Sequence, residues 1–254
     1  LPRATRDPMP VITEESWLMG DHVDHIGTSL LSGNSQAHIS VQTLELTLAI
    51  ISQACAPNRR TARAKGCIDP IRSALSRRSD EVIFLLFTEA DHWHVIAVIS
   101  RSRQIMHFES LGNDMPPAVR ISIEHSLTTF FHKDSQLLQQ WRDGVSSANL
   151  KVQMDGYQCG VYVLLFVKAT LEWLTAVDPS DTRPHYVPTL GTADYGDVIN
   201  LHSQTDPLSE NAAVAASFRR SCMKLVTAEN TLRQQQPAPN DLENLLNDLE
   251  PLDS

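Results

Sequence analysis

A chain of 254 residues, 42% hydrophobic and 20% charged, is long enough for one large domain with a substantial core and has the composition of an ordinary globular protein. Its net charge of −9 argues against a nucleic-acid binder, because phosphate contacts come from clustered Lys and Arg. No stretch approaches the roughly 18 apolar residues of a membrane span, no charged-then-apolar leader opens the chain, and Cys55, Cys67, Cys159 and Cys222 have the spacing of neither a zinc site nor a disulfide framework. The expectation is a reducing, intracellular setting, no metal and no cofactor.

Residues 1–11 are Pro-rich and read as an extended lead-in, with the domain proper expected over 12–233. Thr13-Glu14-Glu15-Ser16-Trp17 can open a short helix. Helix then continues from His22 to Leu31, up to the break Ser32-Gly33-Asn34-Ser35. Val41 to Ala54 is apolar at helical spacing and predicts a core helix. Residues 59–78 set Arg59, Arg60, Arg63, Lys65, Arg72, Arg77 and Arg78 against Asp69. This basic stretch in an acidic protein reads first as solvated surface, or else as a patch facing an acidic partner.

Three strands are predicted next. Glu81 to Phe87 is a buried run, His92 to Ile99 follows it, and Arg103 to Leu111 is the third. Pro116 to Leu138 is helical in pattern, with the helix itself over Ala118 to Phe131. Leu150-Lys151-Val152-Gln153 reads as a short strand. It leads into a loop that tightens at Gly156 and delivers Cys159 to the start of a long buried helix. Residues 178–207 lack periodicity and form a long loop or insertion. Helix resumes from Glu210 to Leu232, with Phe218, Met223 and Leu225 on its core face. Residues 234–254 are a linker and an acidic tail. In the tail Leu242, Leu245, Leu246 and Leu249 share one helical face, fit either to dock on the domain or to fold into a partner's groove.

The chemistry gathers at three of these element ends. A cysteine at a helix N-terminus lies at the positive end of the helix dipole, where thiolate is favoured over thiol. Gln153, six residues before Cys159, carries an amide able to donate to a developing oxyanion. His92 opens the middle strand and Glu109 ends the next, so imidazole and carboxylate can meet across neighbouring strands. A base oriented by an acid beside a thiol is the arrangement of activated-cysteine chemistry.

Taken together, these motifs resemble the ubiquitin-like-protein proteases, the SUMO-protease type of cysteine peptidase. The resemblance rests on His92-Trp93, on Glu109-Ser110-Leu111 seventeen residues after the His, and on Gln153, Gly156-Tyr157 and Cys159-Gly160. Trp17-Leu18 and the segment Phe218-Arg219 to Met223 extend it over residues 12–229. Glu109 stands where that family usually has Asp. Gly20 stands where it has an acid three residues after the first Trp, with Asp21 displaced by one.

The resemblance implies an α+β, papain-like fold in the permuted order His, acid, Gln, Cys, with a mixed, mostly antiparallel sheet flanked by helices. It implies His92, Glu109, Gln153 and Cys159 as the catalytic set. It also implies Trp17, Trp93, Gly156 and Tyr157 around a narrow channel for a Gly-Gly tail. The partners implied are SUMO or another ubiquitin-like modifier and its conjugates, with no nucleic acid and no membrane. The compartment implied includes the nucleus, or a host cell where such a chain is a bacterial effector. The competing readings are a deubiquitinase, an acyltransferase using the same His, Glu and Cys, and a modifier-binding module whose site is idle. Trp93 beside His92 speaks against the acyltransferase.

Overall fold

The computed structural model describes residues 8–13, 15–32, 34–55, 65–77, 79–148, 152–153, 155–176 and 207–235. The 178–206 part of the expected insertion, most of the basic stretch before Lys65, and the acidic tail lie outside them. The described elements run α1 (Gly20–Leu30), β1 (Ala37–Thr43), α2 (Leu44–Cys55), α3 (Lys65–Ser76), β2 (Val82–Glu89), β3 (His92–Ile99) and β4 (Gln104–Glu109). They continue with α4 (Pro117–Phe130), α5 (Ser135–Asp143), β5 (Val145–Ala148), α6 (Cys159–Ala176) and α7 (Pro207–Gln235).

The five strands lie in the order β1-β2-β3-β4-β5. The inner pairs, β2–β3 and β3–β4, are antiparallel, while β1–β2 and β4–β5 are parallel. The sheet is therefore mixed in equal parts rather than mostly antiparallel. Both faces are covered, which is why β2 and β3 read as unbroken apolar runs. One face carries Phe84, Leu86, Val95, Ala97, Met106 and Phe108 against α6. Phe108 stacks on Phe166 with ring centroids 4.8 Å apart. The other face carries Ile83, Leu85, Phe87, Ile96, Val98 and Ile105 under α2, α3 and α4.

Several expectations shift in detail. Thr13 and Glu15 to Trp17 are irregular chain rather than helix. The apolar spacing from Val41 concealed a change of element: Val41–Thr43 ends β1, whose alternation Ala37, Ile39, Val41 is only partly buried at the sheet edge. A short strand not expected from the sequence is Val145–Ala148, while Val152 and Gln153 are irregular and Leu150 and Lys151 of the expected strand lie outside the described residues; α5 is a separate helix capped by the Asp134 carboxylate on the Leu137 N–H. Met9 and Ile12 are buried in the core, and Met9 exchanges two hydrogen bonds with the Asn230 side chain of α7.

Two tight turns set where the chemistry sits. Ala90 and Asp91 both have positive φ, 48° and 59°, the requirement of a two-residue hairpin whose twist matches its strands. That turn pairs Glu89 with His92 and makes His92 the first residue of β3. After β4, Gly112 at φ 80° folds the chain back over Glu109, a conformation glycine adopts without steric cost.

Candidate active site

Glu109 ends β4 with its side chain fully buried. Its Oε1 accepts from the Leu111 N–H at 2.6 Å and its Oε2 from the Asn113 N–H at 2.8 Å. Oε1 is also paired with Nε2 of His92. Cys159 lies close enough to the His92 ring to favour its charged form. The structure thus brings Cys159, His92 and Glu109 together. Burial disfavours the charged imidazole, but the hydrogen bonds to Cys159 and Glu109 and the field of both outweigh it and raise His92 to about 9. Burial pushes Glu109 up, and its bonds from His92, Leu111 and Asn113 more than reverse this, to about 2. A carboxylate and an imidazolium in contact over a wide pH range are what this geometry holds.

Gln153 is buried and also joins the group. Ser110 Oγ donates to Gln153 Oε1 at 2.5 Å, and the Ser110 carbonyl accepts from the Val152 and Gln153 N–H groups at 2.9 and 3.0 Å. The Gln153 amide nitrogen donates to the Asp155 carbonyl at 2.5 Å and lies 3.3 Å from Asp155 Oδ1. Both contacts of the expected oxyanion donor therefore run to Asp155 of its own loop, the second longer than the first.

That loop is organised by Asp155, which sequence reasoning missed. Asp155 Oδ1 accepts from the Tyr157 and Gln158 N–H groups at 3.0 and 2.9 Å, and Oδ2 from the Gln158 amide at 2.7 Å. An Asx-type turn of this kind launches the helix. The signal was available in the Asp155-Gly156 pair. Gly156 itself does not tighten the turn: it has no positive φ, and an added Cβ would meet nothing. It is exposed beside the cysteine loop and leaves open space there.

The other expected residues spread around this centre. Trp93 points to the opposite face of β3 from His92 and is buried. Its indole N–H donates to the Leu18 carbonyl at 2.9 Å, and its Cδ1 would lie 3.1 Å from a Cβ on Gly160. Trp17, one residue before Leu18, is 41% exposed. Tyr157 is half-buried and lies beneath a guanidinium from α7, Arg219, 5.5 Å from its ring centroid. Among the described residues no three His, Cys, Asp or Glu side chains are grouped to hold a metal ion.

Behind His92 lie two further imidazoles that the sequence did not single out. His94 Nδ1 and His107 Nε2 are 3.0 Å apart, and His94 stacks on Phe87. Burial, then the neighbouring His92, pushes His94 down to about 4. Burial, then His94, pushes His107 down to about 3. Both folded values lie below the ordinary 6.5, so between that value and the folded one the unfolded chain binds more protons. Stability is then lost as pH falls from about 6.5, by up to about 1.4 kcal/mol per pH unit for each imidazole. His92 acts oppositely: its contribution is present below 6.5 and lost as pH rises through about 9. Urea unfolding from pH 4.5 to 9 should therefore show a maximum near 6.5. Replacing the pair together (His94→Phe with His107→Leu) should flatten the acid side, and an unaltered acid slope would show that other groups set it.

Residues 60–176 match the family described as the Ulp1 protease family, C-terminal catalytic domain. That span includes His92, Glu109, Gln153 and Cys159. Over that span the chain is similar to a Ulp1-type cysteine protease domain, and its α+β architecture agrees with the papain-like arrangement expected of one. The Xanthomonas campestris effector protein XopD, solved bound to ubiquitin, is similar over 87% of this chain and 98% of its own, at 17% identity and a TM-score of 0.46. A de-sumoylating protease is similar over 86% of this chain and 85% of its own, at 12% identity and a TM-score of 0.45. The yeast Ulp1 protease domain, in complex with the SUMO ortholog SMT3, is similar over 82% of this chain and 78% of its own, at 15% identity and a TM-score of 0.40. No curated protein sequence matches the chain.

Proposed function

We propose that this Ulp1-type domain is a peptidase and isopeptidase that cleaves after the C-terminal Gly-Gly of SUMO or a related ubiquitin-like modifier. The observation that carries the reading is the His92 ring held between Cys159 and the buried Glu109 carboxylate. In this mechanism His92 holds the proton of Cys159 as an imidazolium beside the thiolate, and Glu109 fixes the ring and balances its charge. The thiolate attacks the carbonyl of the terminal Gly. The oxyanion is met by the backbone N–H of Cys159 and by the side-chain amide of Gln153. Donors so placed are worth about 3 kcal/mol each. His92 then protonates the leaving amine and, in the second half, takes a proton from the water that hydrolyses the thioester.

The test is a panel of SUMO, ubiquitin and other modifiers carrying C-terminal electrophiles. A covalent adduct on Cys159 with a SUMO-type member is expected. An adduct with ubiquitin alone would make the enzyme a deubiquitinase. No adduct, but transfer of acetyl from acetyl-CoA to Cys159, would overturn the reading in favour of an acyltransferase.

A further inference from the structure

Helix α7 carries an apolar stripe, Ala215, Cys222 and Val226, against the core. Arg219 occupies the same stripe and is 1% exposed. A buried cation is costly unless it is well hydrogen-bonded, and an apolar side chain of similar volume commonly serves stability as well or better. What the guanidinium supplies instead is geometry. Its Nε and Nη2 donate to the Thr13 carbonyl at 3.1 and 2.7 Å, and Nη2 also donates to the Ser16 carbonyl and lies 3.5 Å from Ser16 Oγ. Its central carbon Cζ lies over the Tyr157 ring, 5.5 Å from the centroid, within the range of a cation–π contact.

These contacts join three distant pieces of chain. Thr13 and Ser16 close the turn directly before Trp17, where the Thr13 N–H donates to Ser16 Oγ at 2.8 Å. Tyr157 lies two residues before Cys159, in the turn that Asp155 organises. The N-terminal arm is tied down elsewhere by Asn230 on Met9, and by His22, whose ring nitrogens meet the Pro10 carbonyl at 2.7 Å and the Met19 N–H at 3.1 Å. Trp93 links Leu18 of the arm to the first turn of α6, and Arg219 is the tie that reaches the loop before it, at Tyr157.

We propose that Arg219 is a positioning residue for the substrate slot, holding the Trp17 turn and the Cys159 loop at a fixed separation. The proposal rests on the reading given under Proposed function, that the domain cleaves after a modifier's Gly-Gly tail, and takes that tail to enter between these two segments. Lysine cannot replace the fork, because a point charge on a flexible stem reaches one carbonyl without the planar face.

The test compares two reactions of the same sulfur. Chloroacetamide needs no slot, whereas a modifier–fluorophore conjugate does. Arg219→Met should fold, keep the wild-type rate and pH profile of Cys159 alkylation, and lose tenfold or more in kcat/KM on the conjugate. Arg219→Lys should restore little of it. Arg219→Gln, whose amide reaches one carbonyl and lacks the fork, should show the same divergence and serves if Arg219→Met does not fold. Equal kcat/KM in wild type and a folded Arg219→Met, or equal losses in alkylation and turnover, would overturn the proposal. Should the wild type turn over no modifier, the functional reading fails separately. Hydrogen exchange then decides: amides of 12–19 and 155–160 should lose protection together in Arg219→Met, and unchanged protection in either segment overturns the link.

Discussion

Cys159→Ala and His92→Ala are each expected to bring kcat/KM on a modifier–fluorophore conjugate to background, a fall of about 10⁴-fold or more, with the double variant no worse than either single one. The non-additivity follows from the geometry, because neither group has a role without its partner. The Glu109 result separates structure from pattern. Read from sequence, Glu109→Gln is a mild change that keeps an orienting side chain. In the structure both carboxylate oxygens accept backbone N–H groups, and one of them also meets His92. An amide can offer its oxygen on one side, and its NH2 must then oppose a backbone N–H donor on the other. Glu109→Gln should therefore cost about 1–3 kcal/mol of stability and a large part of the turnover, through a displaced Leu111–Asn113 turn as well as a less basic His92. Near wild-type turnover in Glu109→Gln would mean that the carboxylate does not orient the base, and residual activity in Cys159→Ala would move the nucleophile elsewhere.

The placement of the candidate site was legible because its members sit at element ends that the sequence marks strongly. The buried runs Val82–Phe87 and Val95–Ile99 and the long apolar helix from Cys159 are unambiguous by length and composition, so His92, Glu109 and Cys159 could be placed on the correct termini. What was not legible depends on contacts distant in sequence or on side chains with two plausible fates. Arg219 in an amphipathic helix reads as surface, and its burial follows from carbonyls more than two hundred residues away. His94 and His107 lie in apolar strands where a lone imidazole gives no hint of the other. Asp155 next to a glycine reads as an ordinary turn, while its carboxylate organises the loop before Cys159. Edge strand β1 was absorbed into a helix because the apolar spacing continues across the junction Thr43-Leu44 without a Gly or Pro to mark it.

Trp93→Ala should lower kcat/KM by up to about 100-fold, and the reason is where the indole is wedged. Trp93 lies on the face of β3 that meets α6, so it does not share the face of His92. It contacts the first turn of α6 at Gly160 and the N-terminal arm at Leu18, whose carbonyl takes its N–H. A Cβ on Gly160 would lie 3.0 Å from Leu18 Cβ and 3.1 Å from Trp93 Cδ1, so the three groups are in close contact. The indole thus sets the distance between Cys159 and the arm that carries Trp17. Deleting it removes a large buried side chain, at about 3–5 kcal/mol, and leaves the Leu18 carbonyl without its donor. Where the protein still folds, the substrate's carbonyl is held less closely to the sulfur, and a 1 Å misplacement is enough for a hundredfold loss. Trp93→Phe keeps most of the volume and loses the hydrogen bond, and should fall between the two. The same closeness predicts substrate choice, since a tail running beside these groups can approach closely with glycine and not with a Cβ. Changing the penultimate Gly of the substrate to Ala should then block cleavage by the wild type, and Trp93→Ala should narrow the gap between the two substrates while slowing both. Measuring kcat and KM for Gly-Gly and Ala-Gly substrates with the three proteins tests this directly. Equal rates on both substrates by the wild type would remove the slot, and with it the main support for a ubiquitin-like tail as the natural substrate.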